Sequence, residues 1–133
     1  MIILTNSTSQ ELAPGQSLTF DTIILHTGCA ECHRPGSGSV TLRQQRAIYG
    51  VKFSGNIGAT APGVAQLTIM DNGARLNETT MVSTTAAAGD VNNVSTDTGI
   101  KTCCCGPETC TITNTGETTI VVENPLFFIK RIA

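Results

Sequence analysis

Residues 48–57 alternate in a way that an extended strand with one covered face accommodates. Tyr49, Val51, Phe53 and Ile57 fall on one side, and Lys52, Ser54 and Asn56 on the other. Successive side chains of a strand point to opposite faces, so the pattern predicts a half-buried strand. Composition extends this reading to all 133 residues. Thr, Ile and Val make up roughly a third of the chain, and β-branched side chains suit a pleated surface better than a helix. Only 14% of residues are charged, against about 25% in an ordinary domain. With 13 glycines available for turns, the chain reads as all-β, and its length as a single domain.

Further strands are expected along the chain. Residues 17–25 place Leu18, Phe20, Thr22 and Ile24 on one face. Short strands follow at 39–42 and 64–70, then a weak one at 76–83, an irregular one at 91–102, and three more at 111–114, 118–123 and 126–132. Residues 28–39 read as a loop or interrupted strand. Asp71-Asn72-Gly73 is a hairpin signal, because a type I′ turn needs positive φ at both central residues; Thr115-Gly116-Glu117 marks a second hairpin. Eight to ten short strands at this spacing predict a sandwich or barrel. Residues 1–15 are polar, end at Ala13-Pro14-Gly15, and read as an N-terminal arm or peripheral strand ahead of one domain over 16–133. The segment Leu126-Phe127-Phe128-Ile129 is apolar on both faces. A sandwich with one solvated face does not call for that, so the strand is read either as a central one under a loop or, the preferred reading, as one whose second face is buried between subunits.

Several function classes are disfavoured. The net charge is -2, which leaves no basic excess for a phosphate backbone, so no nucleic-acid partner is expected. No run approaches the roughly 18 apolar residues of a membrane span. The first residues lack the basic and apolar regions of a secretory signal, so synthesis in the cytoplasm is expected. No P-loop, dinucleotide fingerprint or calcium loop is present. The acidic residues form no spaced pair, and a Cys–His pair drawn from Cys29 or Cys32 with His33 lacks an orienting third group. The chain is therefore read as not an enzyme.

The cysteines carry three open readings. Cys29-Ala30-Glu31-Cys32-His33 formally matches a c-type haem attachment site, without the setting a haem needs. Cys29, Cys32 and His33, with Cys105 and Cys110 from the second loop, supply enough soft ligands for a structural zinc site; zinc takes four such ligands from two close pairs. The same even set of six cysteines suits disulfides, and free or partly paired loop thiols are the third possibility. Two loops that hold every cysteine are expected to meet at one end of the fold.

Three segments resemble a known family. Residues 47–57 are similar to an aromatic-x-Val-x-Phe strand with a Gly-Asn turn. Ala65-Gln66-Leu67-Thr68-Ile69-Met70-Asp71-Asn72-Gly73 is similar to a Leu-x-Ile-x-x-Asn-Gly hairpin. Thr113-Asn114-Thr115-Gly116 is similar to a Leu-x-Asn-x-Gly turn. Together they resemble the jelly roll of the complement globular head and tumour necrosis factor. The nearer likeness is to its bacterial and phage version, as in collagen-like exosporium glycoproteins, although this chain has no collagen repeat and that family does not require six cysteines. The resemblance implies a jelly-roll sandwich forming a compact homotrimer, with Tyr49, Phe53, Leu126 and Phe128 in the trimer contact or the core. It also implies display or binding on a virion or spore surface. The expected partners are other virion or surface-layer proteins and a host-surface protein or glycan. No cofactor is expected unless the loops hold zinc.

Overall fold

The structure is a computed structural model that describes residues 1–104 and 106–133. Twelve strands are present among the described residues. They are β1 (Ile2–Thr5), β2 (Gln10–Leu12), β3 (Thr22–His26), β4 (Glu31–His33), β5 (Ser39–Leu42), β6 (Ile48–Ala59), β7 (Gly63–Asp71), β8 (Ala74–Arg75), β9 (Met81–Thr85), β10 (Asn92–Lys101), β11 (Glu108–Asn114) and β12 (Ile120–Arg131). One 3-10 turn spans Asn77–Thr79. The first sheet runs β10-β6-β12-β1-β3, with β2 also on β12; the second runs β4-β5-β11-β7-β8, with β9 also on β7. Every pairing is antiparallel.

The core lies between the two sheets. From β6 it takes Tyr49, Val51, Phe53 and Ile57, the side expected from the alternation, all at most 1% exposed. β12 adds Val122, Phe127 and Ile129, while Leu67, Ile69 and Ile112 close the layer from the second sheet. Phe127 stacks on Phe20 at 5.4 Å between ring centroids and meets Phe53 edge-on at 6.3 Å. Such pairs add about 0.5–1.5 kcal/mol to the area they bury.

Several expectations change. The weak strand expected at 76–83 is instead a 3-10 turn at Asn77–Thr79 followed by β9. Residues 1–15 are no arm: β1 lies inside the first sheet between β12 and β3, and Ile2 and Leu4 are fully buried. The short hydrophobic run at 2–4 outweighs its polar surroundings once neighbours flank it on both sides. Residues 17–25 are not one strand. Ser17 bridges Thr113 of the second sheet, whereas Thr22–His26 pairs with β1 in the first. The chain thus crosses between layers with Leu18 and Phe20 buried, and a register shift between Ile3 and Leu4 leaves Ile24 56% exposed. The strands expected at 118–123 and 126–132 are one, β12, whose register shifts between Glu123 and Leu126. Asn124 takes a positive φ of 49° there, so the ladder resumes on the far side with Phe127 inward and Phe128 outward.

The turn chemistry is as expected at 71–73. Asn72 and Gly73 have φ of 52° and 86°, the left-handed values a tight hairpin requires. The second hairpin, expected at 115–117, does not form: β11 lies in the second sheet and β12 in the first, so this turn carries the chain between layers, and Asn114, fully buried there, satisfies its backbone. Its Nδ2 donates to the carbonyls of Leu12 and Thr118, and its Oδ1 accepts the Gly116 amide.

Candidate functional site

The outer face of the first sheet is the surface that its own core leaves unexplained. Register sets one row across it: Asp97 opposite Lys52, Lys52 opposite Phe128, Phe128 opposite Ile3, and Ile3 opposite Leu25. The row is charged at the β10 end and apolar toward β3. Leu126 stands beside it opposite Ser54. Leu126 is 42% exposed and Leu25 40%; Phe128 is half-buried. Lys52 stands over the Phe128 ring, its Nζ 5.9 Å from the centroid, a cation on a π face. Between β10, β6 and β12 runs a groove of about 540 Å³, lined by Lys52, Ser54, Ser95, Asp97, Leu126 and Phe128 among others. Of the four residues expected in the core or a trimer contact, Tyr49 and Phe53 are core, and Leu126 and Phe128 lie on this open face.

The cysteine loops lie at one end of the second sheet. Glu31 of β4 and Glu108 of β11 both stand opposite Leu42 of β5. Tyr49 ties the first loop down: its hydroxyl donates to the Ala30 carbonyl at 2.8 Å and accepts the Gln44 amide at 3.2 Å. Thr102 ties the second, donating to the Gln44 carbonyl at 2.6 Å. Glu108 accepts the Cys103 amide at 2.9 Å.

This geometry does not assemble the expected zinc ligands. Cys32 pairs with Thr41 and points to the outer face, while Cys110 pairs with Val40 and is fully buried on the inner face. The two lie on opposite sides of the sheet with β5 between them. His33 is 8% exposed; its Nδ1 is 3.0 Å from the Ser39 carbonyl and its Nε2 3.1 Å from the Phe20 carbonyl. Both ring nitrogens are thus held by the backbone, which also leaves none for a haem iron. Burial pushes the Cys110 thiol far above its ordinary range, with Asp71 adding to the effect, and a thiol that keeps its proton is a poor ligand. Among the described residues no group of three His, Cys, Asp or Glu is placed to hold a metal ion. Cys105 lies outside the described residues.

An acidic pair at the same end escaped the sequence reading. Asp71 and Glu108 share a hydrogen bond. Burial raises the Asp71 carboxyl to about 6, helped by Glu108. Burial also pushes Glu108 upward, but the Cys103 amide and the Asp71 hydroxyl outweigh it and hold Glu108 below its ordinary range. Below about pH 6, Asp71 therefore carries the proton and donates it to an ionised Glu108. Across the sheet, the Glu31 carboxylate meets the Met1 ammonium. No strand pattern signals Asp71 and Glu108, because they are far apart in sequence and meet only through the β7–β11 pairing.

Comparison with solved structures then places the fold. The chain superposes on the globular domain of zebrafish complement 1qA with a TM-score of 0.71 at 11% identity, over 99% of this chain and 96% of that one. Murine APRIL follows at 0.62 and 11% identity, over 97% and 96%. The PRD1 vertex protein P5 gives 0.55 and 12% identity, over 99% and 96%. This is the jelly-roll fold of the complement head and tumour necrosis factor. At this identity the likeness establishes the fold alone. No protein-family model and no curated protein matches the sequence. Among the described residues, no helix is long and apolar enough to cross a membrane.

Proposed function

We propose that this jelly roll is a non-enzymatic structural and binding protein that works as a homotrimer on a particle surface. A virion decoration, head fibre or receptor-binding protein is the favoured setting, with a spore surface as the related one. The observation that carries the reading is the open face of the first sheet. Leu25, Ile3, Phe128 and Leu126 form a continuous apolar run there, and contiguous apolar surface on a small domain marks an interaction site. The charged β10 end and apolar β3 end differ, which suits a head-to-tail contact closing a ring better than a face pairing with itself. The resemblance to a vertex protein and a complement head supports display over catalysis. In this reading the protein is made in the cytoplasm and then joins the particle. Its partners are neighbouring particle proteins and a host-surface protein or glycan, and it needs no cofactor.

Sedimentation equilibrium in reducing buffer tests the assembly. A trimer at micromolar concentration is expected, since a standard interface removes about 800 Å² per partner from water. Phe128→Asp places an unpaired charge in that contact and is expected to give folded monomers, because Phe128 faces away from the core. A wild-type chain that sediments as a monomer would refute the reading.

A further inference from the structure

The second sheet also has an outer face, and the proposed subunit contact leaves it open. On β7, Ala65 and Leu67 point into the core, so Val64 and Gln66, which alternate with them, point outward. The turn that carries the chain from β11 to β12 comes back over these two residues. Between β7 and this turn lies a pocket of about 450 Å³, lined by Val64, Gln66, Thr115, Gly116, Glu117 and Thr118. Small-molecule sites span about 300–1,000 Å³.

The walls of this pocket are held in place from both sides. Asn114 fixes the turn from within: its Nδ2 donates to the Thr118 carbonyl at 2.9 Å, and its Oδ1 accepts the Gly116 amide at 3.0 Å. Gln66 fixes it from the sheet, its Nε2 donating to the Thr115 hydroxyl at 3.0 Å. That hydroxyl is 2.8 Å from the hydroxyl of Thr68, a fully buried residue. The Thr60 amide donates to the Thr119 carbonyl at 3.1 Å. Gly116 lets the turn lie close on β7, because a Cβ there would stand 3.1 Å from the Cβ of Gln66. A loop held this way loses little conformational freedom when a ligand binds.

The chemistry facing the pocket selects among ligands. Its lining has one carboxylate, Glu117, and no Lys, Arg or His. Phosphate, sulfate and acidic sugars therefore meet repulsion with no cation to offset it. Gln66 has given one amide hydrogen to Thr115; its Oε1, its other amide hydrogen and the Thr118 hydroxyl remain for a ligand. An ammonium ion only donates, so it would use the acceptors and leave the amide hydrogen unmet. A sugar hydroxyl both donates and accepts, which matches the whole set. Val64 is 45% exposed and offers its methyl groups to the C–H face of a ring. Val82, opposite Gln66 on β9, is 53% exposed and continues that apolar strip. We propose that this pocket binds a neutral pyranose residue of a glycan, with hydrogen bonds from its hydroxyls to Glu117, Gln66 and Thr118 and its ring against Val64. The inference deepens the glycan side of the proposed function and rests on that reading for its setting: a trimer joined through the first sheet presents the pocket outward on every copy, and weak contacts then reinforce one another.

The test titrates the isotope-labelled full chain with glucose, galactose, mannose and N-acetylglucosamine and follows the backbone amide resonances. Saturable shifts at Gln66, Gly116, Glu117 and Thr118 are expected with at least one of these sugars, at millimolar affinity. Glu117→Ala and, separately, Thr118→Val should each weaken that sugar about fivefold, the scale of one net hydrogen bond. Neither side chain is buried, so the melting temperature should hold; if one variant fails to fold, the other is read. No shift at these amides with any of the four sugars would overturn the proposal. So would shifts produced only by sialyllactose, inorganic phosphate or methylammonium, or an affinity unchanged in both variants. Sedimentation of the same samples separates this inference from the display reading: a trimer that binds no sugar refutes the pocket alone, and a monomer that binds sugar refutes the trimer alone.

Discussion

Replacing Asp71 by Asn should stabilise the protein at neutral pH, against the usual direction for a substitution at a buried hydrogen bond. Asp71 is held protonated by burial and by Glu108, at about 6 against its ordinary 3.8. Its carboxyl is raised, so its stabilising contribution is complete below 3.8 and is lost as pH rises through about 6. Glu108 runs the other way: its carboxyl is held low, so its contribution is present above the usual glutamate range and lost in acid. At pH 7.5 both groups carry charge at contact distance. Ionising a carboxyl displaced from 3.8 to about 6 costs about 3 kcal/mol. Solvent reaches Asp71, which is only half-buried, and that reduces the realised penalty to about 1–2 kcal/mol. Asn donates the same hydrogen bond at every pH. Urea unfolding of wild type and Asp71→Asn from pH 4.5 to 8 measures the difference. The variant should gain about 1–2 kcal/mol at pH 7.5, or roughly 4–8 °C in melting temperature, with the advantage shrinking toward pH 4.5 and gone only below the ordinary aspartate value of 3.8. An advantage that is absent, or equal at pH 4.5 and 7.5, would refute the assignment of the proton to Asp71.

Other outcomes follow from the packing. Asn114→Ala removes a side chain that makes three hydrogen bonds in a fully buried site; with the partners left unpaired, a loss of about 3 kcal/mol is expected in chemical denaturation. Gly58→Ala would drive its Cβ into the Asp90 carbonyl, and because that oxygen is backbone the expected cost is about 2 kcal/mol or more, read as a lower melting temperature. Elemental analysis of the purified protein should find well under one zinc per chain, because Cys110 and Cys32 face opposite ways and both His33 nitrogens are occupied; about one zinc per chain would contradict that geometry.

Local signals were legible where the physics is local. The alternation at 48–57 reads out β6 and its inward face, because side-chain direction in a strand depends only on parity. Asp71-Asn72-Gly73 reads out the hairpin, because the positive φ values belong to those residues alone. The double-sided apolarity of residues 126–129 announces an open hydrophobic face, and Phe127 and Phe128 take the two sides accordingly. What the tertiary structure decided depends on neighbours distant in the chain. β1 looks like part of a polar arm until β12 and β3 flank it. Leu18 and Phe20 look like one strand with Ile24 until the chain changes sheets between them. Six cysteines in two loops look like one ligand set until the register turns Cys32 outward and Cys110 inward. The shared proton of Asp71 and Glu108 has no sequence signal, since two carboxyls shift each other only when folding brings them into contact away from water.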